Sequence, residues 1–74
     1  MNDINETKRR VELFFQNKIN VHIDTFDNRF YNGIILELGT DFLLMHERVV
    51  GQTFVLFSQI KDIEPYKEKE ERRE

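Results

Sequence analysis

Seventy-four residues with a formal charge of −3, 39% hydrophobic and 34% charged, describe one small domain with a charged surface and leave no room for a second. No apolar run approaches the roughly 20 residues that cross a bilayer. Cysteine is absent, which excludes disulfides and thiolate metal sites.

The chain opens on a helix, expected over about residues 3–17. Asp3 can accept from the first-turn N–H groups, and Glu6 three residues later completes a capping-box pattern. Ile4, Val11, Phe14 and Phe15 then share a stripe at helical spacing, with Leu13 opposite and Asn17 as the stop. The stripe reads as a face that docks over the apolar end of a β-sheet.

From Ile19 the period becomes two. Ile19, Val21, Ile23 and Thr25 alternate with Asn20, His22 and Asp24, as a half-buried strand does. Asp27 and Asn28 tolerate left-handed backbone angles and form the turn. A second strand runs from about Arg29 to Leu38, with Gly33 marking a bend or a close approach. Gly39-Thr40-Asp41 turns the chain into a third strand, Phe42 to His46 or Glu47. After Arg48–Gln52, the fourth strand spans Thr53–Phe57. Ser58-Gln59 is a short link, Ile60–Glu64 the fifth strand, and Pro65 ends it. The single domain thus covers residues 1–66, with the barrel over about 19–65. Residues 67–74 have no apolar face to bury and are expected to form a disordered tail or a frayed helix.

One helix and five short, bent antiparallel strands imply a mostly β fold, a small closed or nearly closed barrel. Runs such as Ile34-Ile35-Leu36, Phe42-Leu43-Leu44-Met45 and Phe54-Val55-Leu56-Phe57 are apolar on both faces, yet a small barrel has one interior. Phe54–Phe57 next to a short link suits an edge strand, which invites strand addition by another chain. A domain below roughly 70–80 residues seldom gains much stability from its core alone, so self-association is expected on two grounds.

Charge is uneven. Lys8, Arg9, Arg10 and Lys18 outnumber Asp3, Glu6 and Glu12 at the start, whereas the barrel is acidic, with Arg29, Arg48 and Lys61 against Asp24, Asp27, Glu37, Asp41, Glu47, Asp62 and Glu64. Lys8, Arg9 and Arg10 form the one concentrated cationic patch before the tail and are candidates for phosphate contact. Arg29 and Arg48 are loop cations that can pair with Asp27 or Glu47. No catalytic residues are expected. Ser58 is the only serine and lacks the glycines of a nucleophile elbow, and no Gly-rich phosphate loop is present. His22 and Asp24 share a strand face without a third partner, and His46 and Glu47 point to opposite faces. No metal or cofactor is implied. Met1–Glu6 shows no secretory signal, so no membrane association is expected and the cytoplasm is the default.

Val21-x-Ile23, Asp27-Asn28-Arg29, Gly33-x-Ile35-x-x-Leu38 and Asp41-Phe42-Leu43-Leu44-Met45 together resemble the first motif of Sm-like proteins. Ile60-x-x-Ile63-x-Pro65 is similar to the closing strand of the bacterial branch, which also opens with a helix. The resemblance spans about residues 3–65. It implies a homo-oligomeric ring of six or seven subunits, with strand four of one copy pairing with strand five of the next. Phe54, Val55, Leu56, Phe57, Ile60 and Ile63 are then the interface residues. It also implies binding of single-stranded RNA, often U-rich, through the loops here formed by Gly39, Thr40, Asp41 and Phe42 and by Phe57, Ser58 and Gln59. In this chain Gly39 stands where the family usually has Asp, and Phe57-Ser58 where it has a cation. Phe42 remains as a stacking ring, Asp41 and Gln59 as hydrogen-bonding groups. The alternative is a structural or protein-interaction module that keeps the barrel and has lost the RNA pocket.

Overall fold

A computed structural model of the chain describes residues 4–67. Helix α1 (Ile4–Gln16) is followed by strands β1 (Val21–Thr25), β2 (Phe30–Leu38), β3 (Phe42–Glu47) and β4 (Gly51–Leu56). A single 3-10 turn, Phe57–Gln59, leads into β5 (Ile60–Pro65). The fold is therefore mostly β, with an N-terminal helix and an antiparallel five-stranded sheet. The expected capping role of Asp3 and the tail beyond Lys67 lie outside the described residues.

The helix ends as its sequence implies. The Asn17 side-chain amide donates to the Leu13 carbonyl at 2.8 Å, satisfying one of the last-turn acceptors. Lys18 then takes a left-handed backbone angle, φ 53°. Val11 and Phe14 are buried, Phe15 packs partly against them, and Leu13 points outward. Ile4 departs from the expected stripe and stays 46% exposed.

The sheet order is β4-β3-β2-β1-β5. β2, β3 and β4 form a meander, and β1 pairs with both β2 and the last strand. No ladder joins β4 to β5 among the described residues, so the sheet is not closed and both strands remain open edges. α1 lies against β2, β5 and the 3-10 turn. Between helix and sheet sits one core of Val11, Phe14, Val21, Ile23, Ile35, Leu43, Met45, Val55, Phe57, Ile60 and Ile63. Burying each such side chain is worth about 1.5–3 kcal/mol.

Two local devices bend the sheet. Gly33 on β2 lets the backbone of β3 come so close that a Cβ there would lie 1.9 Å from the His46 carbonyl oxygen. Register shifts between Ile35 and Glu37 on β2, and between Asp24 and Thr25 where β1 meets β5, insert an extra residue in a ladder, which increases local bend and twist. The β1–β2 turn is tied by Thr25, whose hydroxyl donates to the Asp27 carboxylate and accepts from the Arg29 N–H at 2.9 Å. Asn28 takes the left-handed position at φ 68°.

Of the six residues that the resemblance assigns to an oligomer interface, four have side chains buried within the single chain. Val55, Phe57, Ile60 and Ile63 are 0%, 4%, 2% and 1% exposed and belong to the core of the single chain. Strand alternation turns only Phe54 and Leu56 outward, at 65% and 46% exposure.

Candidate functional site

The loop before β3 and the link after β4 meet at one end of the sheet. The Gly39 N–H donates to the Phe42 carbonyl at 2.8 Å and closes the first loop. The Phe57 N–H donates to the Asp41 carbonyl at 3.0 Å and joins the second loop to it. Thr40, Asp41, Ser58 and Gln59 are exposed around this junction. The Gln59 side-chain oxygen accepts the Leu56 N–H at 3.0 Å, so part of its hydrogen-bonding capacity is already used.

Phe42 is half-buried. Its ring lies over Gly39, where a Cβ would come within 2.2 Å of it. It also meets Phe54 edge-on, with ring centroids 5.4 Å apart and planes at 71°, an arrangement aromatic quadrupoles favour. Phe54 is the more open of the two rings.

The three cations on α1 diverge. Lys8 leans toward the loops, its Nζ 6.0 Å from the centroid of the Phe57 ring. Arg10 turns toward β5, 3.4 Å from the Asp62 carboxylate, and also lies over Phe14. Arg9 is exposed on the outer side of the helix, beside Leu13. Helical geometry accounts for the spread, because adjacent residues do not face one another. The loop cations are engaged as well. Arg29 sits 3.4 Å from Asp27, and its hydrogen bond to Tyr31, with the charges of Tyr31 and Asp27, pushes its pKa further up. Arg48 lies 5.0 Å above the Tyr66 ring.

Away from the loops, His22 and Asp24 do share the outer face of β1. His22 Nε2 is 2.9 Å from the Asp24 carboxylate. Nδ1 meets the side-chain oxygen of Asn32, and the ring stacks on Phe30 at 5.5 Å. His46 points out and Glu47 in, as alternation requires. No group of three His, Cys, Asp or Glu among the described residues is placed to hold a metal ion. No helix among them is long and apolar enough to cross a membrane.

Two residues with structural weight escape the sequence reading. Glu47, which the sequence offers only as a strand-end acid able to pair with a loop arginine, is 5% exposed and holds the β3–β4 turn. Phe26, just past the alternating run of β1, stays 58% exposed beside the 57–59 link. Phe26 follows directly on the inward-facing Thr25, and that break in pattern was its only signal.

In comparison with known proteins, the chain matches no protein-family model and no curated protein.

Proposed function

We propose that this chain is an Sm-like subunit, with a strongly bent, barrel-like sheet that assembles into a homo-oligomeric ring and binds single-stranded RNA at one face. The observation that carries the RNA reading is the junction of the 39–42 loop with the 57–59 link through Phe57 and Asp41. These are the two loops that the resemblance assigns to RNA, and Lys8 leans over the same end. Phe42 and Phe54 supply faces and edges on which bases stack. Thr40, Asp41, Ser58 and Gln59 supply hydrogen-bonding groups. Lys8, with Arg9 and Arg10 nearby, supplies phosphate neutralisation that is multiplied by repetition around a ring.

Assembly is supported by the two open edges. An edge strand presents unpaired N–H and C=O groups, and two different edges on one chain give a head-to-tail contact that closes into a ring when the rotation allows. Six or seven copies follow from the resemblance.

A second reading is a protein-interaction or structural ring without RNA. It is favoured by the engagement of Arg10, Arg29 and Arg48 with Asp62, Asp27 and Tyr66, which leaves few cations for phosphates. One experiment separates the readings: native mass at micromolar concentration, followed by oligo-U and oligo-A binding across a salt series. An assembled particle whose affinity falls steeply with salt supports RNA binding. An assembled particle that binds neither oligomer at low salt supports the second reading. A stable monomer overturns both.

A further inference from the structure

We propose that Asn32 is a self-modification site: it deamidates when the chain is unfolded, is protected by the native sheet, and as isoaspartate bars the chain from refolding. The inference holds whether or not the chain assembles or binds RNA.

Asn32-Gly33 is the one Asn-Gly pair in the sequence. Its reaction needs no catalyst. The Gly33 nitrogen attacks the side-chain carbonyl carbon of Asn32 and forms a C–N bond. The amide C–N bond breaks, and the departing NH₂ takes the Gly33 proton and leaves as ammonia. The five-membered imide then takes up one water at either carbonyl and opens to aspartate or isoaspartate. Glycine favours ring closure, because no Cβ obstructs its nitrogen and its backbone turns freely. Here it cannot be exchanged, since a Cβ at Gly33 would lie 1.9 Å from the His46 carbonyl oxygen. The bend in the sheet thus keeps a reactive pair in the chain.

The fold withholds the geometry that the attack requires. Asn32 lies in β2, the middle strand of five. Extended backbone turns the next nitrogen away from the side-chain carbonyl carbon, so Asn32 must rotate about its Cα–C bond. Three contacts oppose that rotation. The Asn32 N–H donates to the Glu47 carboxylate at 2.9 Å, and its backbone carbonyl accepts the Arg48 N–H at 2.8 Å. Its side-chain oxygen lies against His22 Nδ1. Gly33 itself pairs with Val21 on one side and Glu47 on the other. Opening this stretch separates β2 from both neighbours, which puts it near the global end of local openings. The product acts in one direction. Isoaspartate routes the main chain through the side chain and lengthens it by one carbon. The ladder beyond residue 32 then falls out of step with β1 and β3, where Gly33 has no slack against His46.

The test incubates the full-length protein at neutral pH and physiological temperature, in buffer and across a guanidinium chloride series. A blocked peptide of residues 31–34 is the reference. Mass spectrometry after proteolysis locates the deamidated residue, and an isoaspartate-specific methyltransferase counts the isomer. Fully unfolded chain should react at residue 32 at the rate of the peptide. In buffer the rate should be at least about 100-fold lower, and it should climb with denaturant as the unfolded fraction does. After the denaturant is removed, circular dichroism should find the isoaspartyl chains unfolded. Asn32→Gln, whose ring would be six-membered and slow to close, should refold after the same incubation; Asn32→Ser replaces it if it does not fold at the outset. A peptide-like rate in buffer, or a rate indifferent to denaturant, overturns protection by the sheet. No reaction at residue 32 in the unfolded chain overturns the site. Isoaspartyl chains that regain the native spectrum overturn the bar to refolding.

Discussion

The carboxylate of Glu47 on β3 accepts the backbone N–H of Asn32 on β2 at 2.9 Å. Its other oxygen accepts the N–H groups of Val49 and Val50 at 2.8 and 3.0 Å. One buried side chain therefore fastens β2 to β3 and shapes the turn into β4. Desolvation pushes the Glu47 pKa up. The hydrogen bonds from Asn32, Val50 and Val49, with the charge of Arg48, outweigh it and hold the group below its ordinary value.

Replacing this carboxylate should weaken the fold. Glu47→Gln keeps the shape but loses the charge, and its amide places an N–H₂ where one set of backbone donors pointed. The expected loss is about 1–3 kcal/mol in urea unfolding. The pH dependence has a definite sign. A lowered folded-state pKa gives stability that is present above the ordinary glutamate value and is lost as pH falls through the folded value. The gap between wild type and Glu47→Gln should therefore be full near neutrality and shrink in that acid range. A gap that widened on acidification would contradict the assignment.

Gly33→Ala tests the bend. The added methyl would meet backbone rather than a movable side chain, so β2 and β3 must separate locally. The expected cost is about 3 kcal/mol, at the upper end for overpacking. Gly51→Ala, with open space around it but φ +84°, should cost about 1–2 kcal/mol from backbone strain alone. If thermal or urea unfolding found Gly33→Ala the milder of the two, the close approach of β3 would be wrong.

Alternation along β4 predicts opposite outcomes for neighbouring substitutions. Phe54→Lys changes an outward side chain and should leave the far-ultraviolet spectrum unchanged while the native mass falls. Val55→Lys places an ammonium in the core and should unfold the chain, because an unpaired buried charge is far too costly to keep. Equal damage from both would mean that the faces of β4 have been assigned wrongly.

Changing Lys8, Arg9 and Arg10 together to Ala should weaken RNA binding across all sequences and flatten its salt dependence. Lys8→Ala should carry more of that effect than Arg10→Ala, since Arg10 already faces Asp62. Phe42→Ala should cost roughly 1–3 kcal/mol per stacked base. Unchanged affinity in the triple variant, measured at low salt, would favour the reading without RNA.

Much of the fold was legible because period and punctuation agreed. Val21, Ile23 and Thr25 alternate cleanly and all three are buried; Asn28 sits at the left-handed turn position; Gly33 marks a real close approach. The inward set on the last two strands was less legible. Phe54-Val55-Leu56-Phe57 is apolar at every position, so alternation in the sequence cannot say which pair points in. The shift between Asp24 and Thr25 brings Ile60 and Ile63 inward at a spacing of three, which a strict two-residue count misses. At the candidate site, the loops that were singled out do converge. Which cations serve them was not readable, because that depends on whether Asp62, Asp27 or Tyr66 reaches each arginine first. Glu47 was hidden for a similar reason: its burial follows from backbone donors supplied by a turn and by another strand.

The pairing of β1 with β5 joins the first strand to the last, whereas β2, β3 and β4 pair only with near neighbours. Loop-closure entropy makes distant contacts late ones. The meander should therefore form early in folding, with the last strand docking onto β1 afterwards and sealing Val21 and Ile23 from that side. During synthesis the ribosome releases β5 last of all the strands, so until then the nascent domain shows β1 as a bare edge. For that interval the edge a chain shows to its neighbours is not the one it will keep.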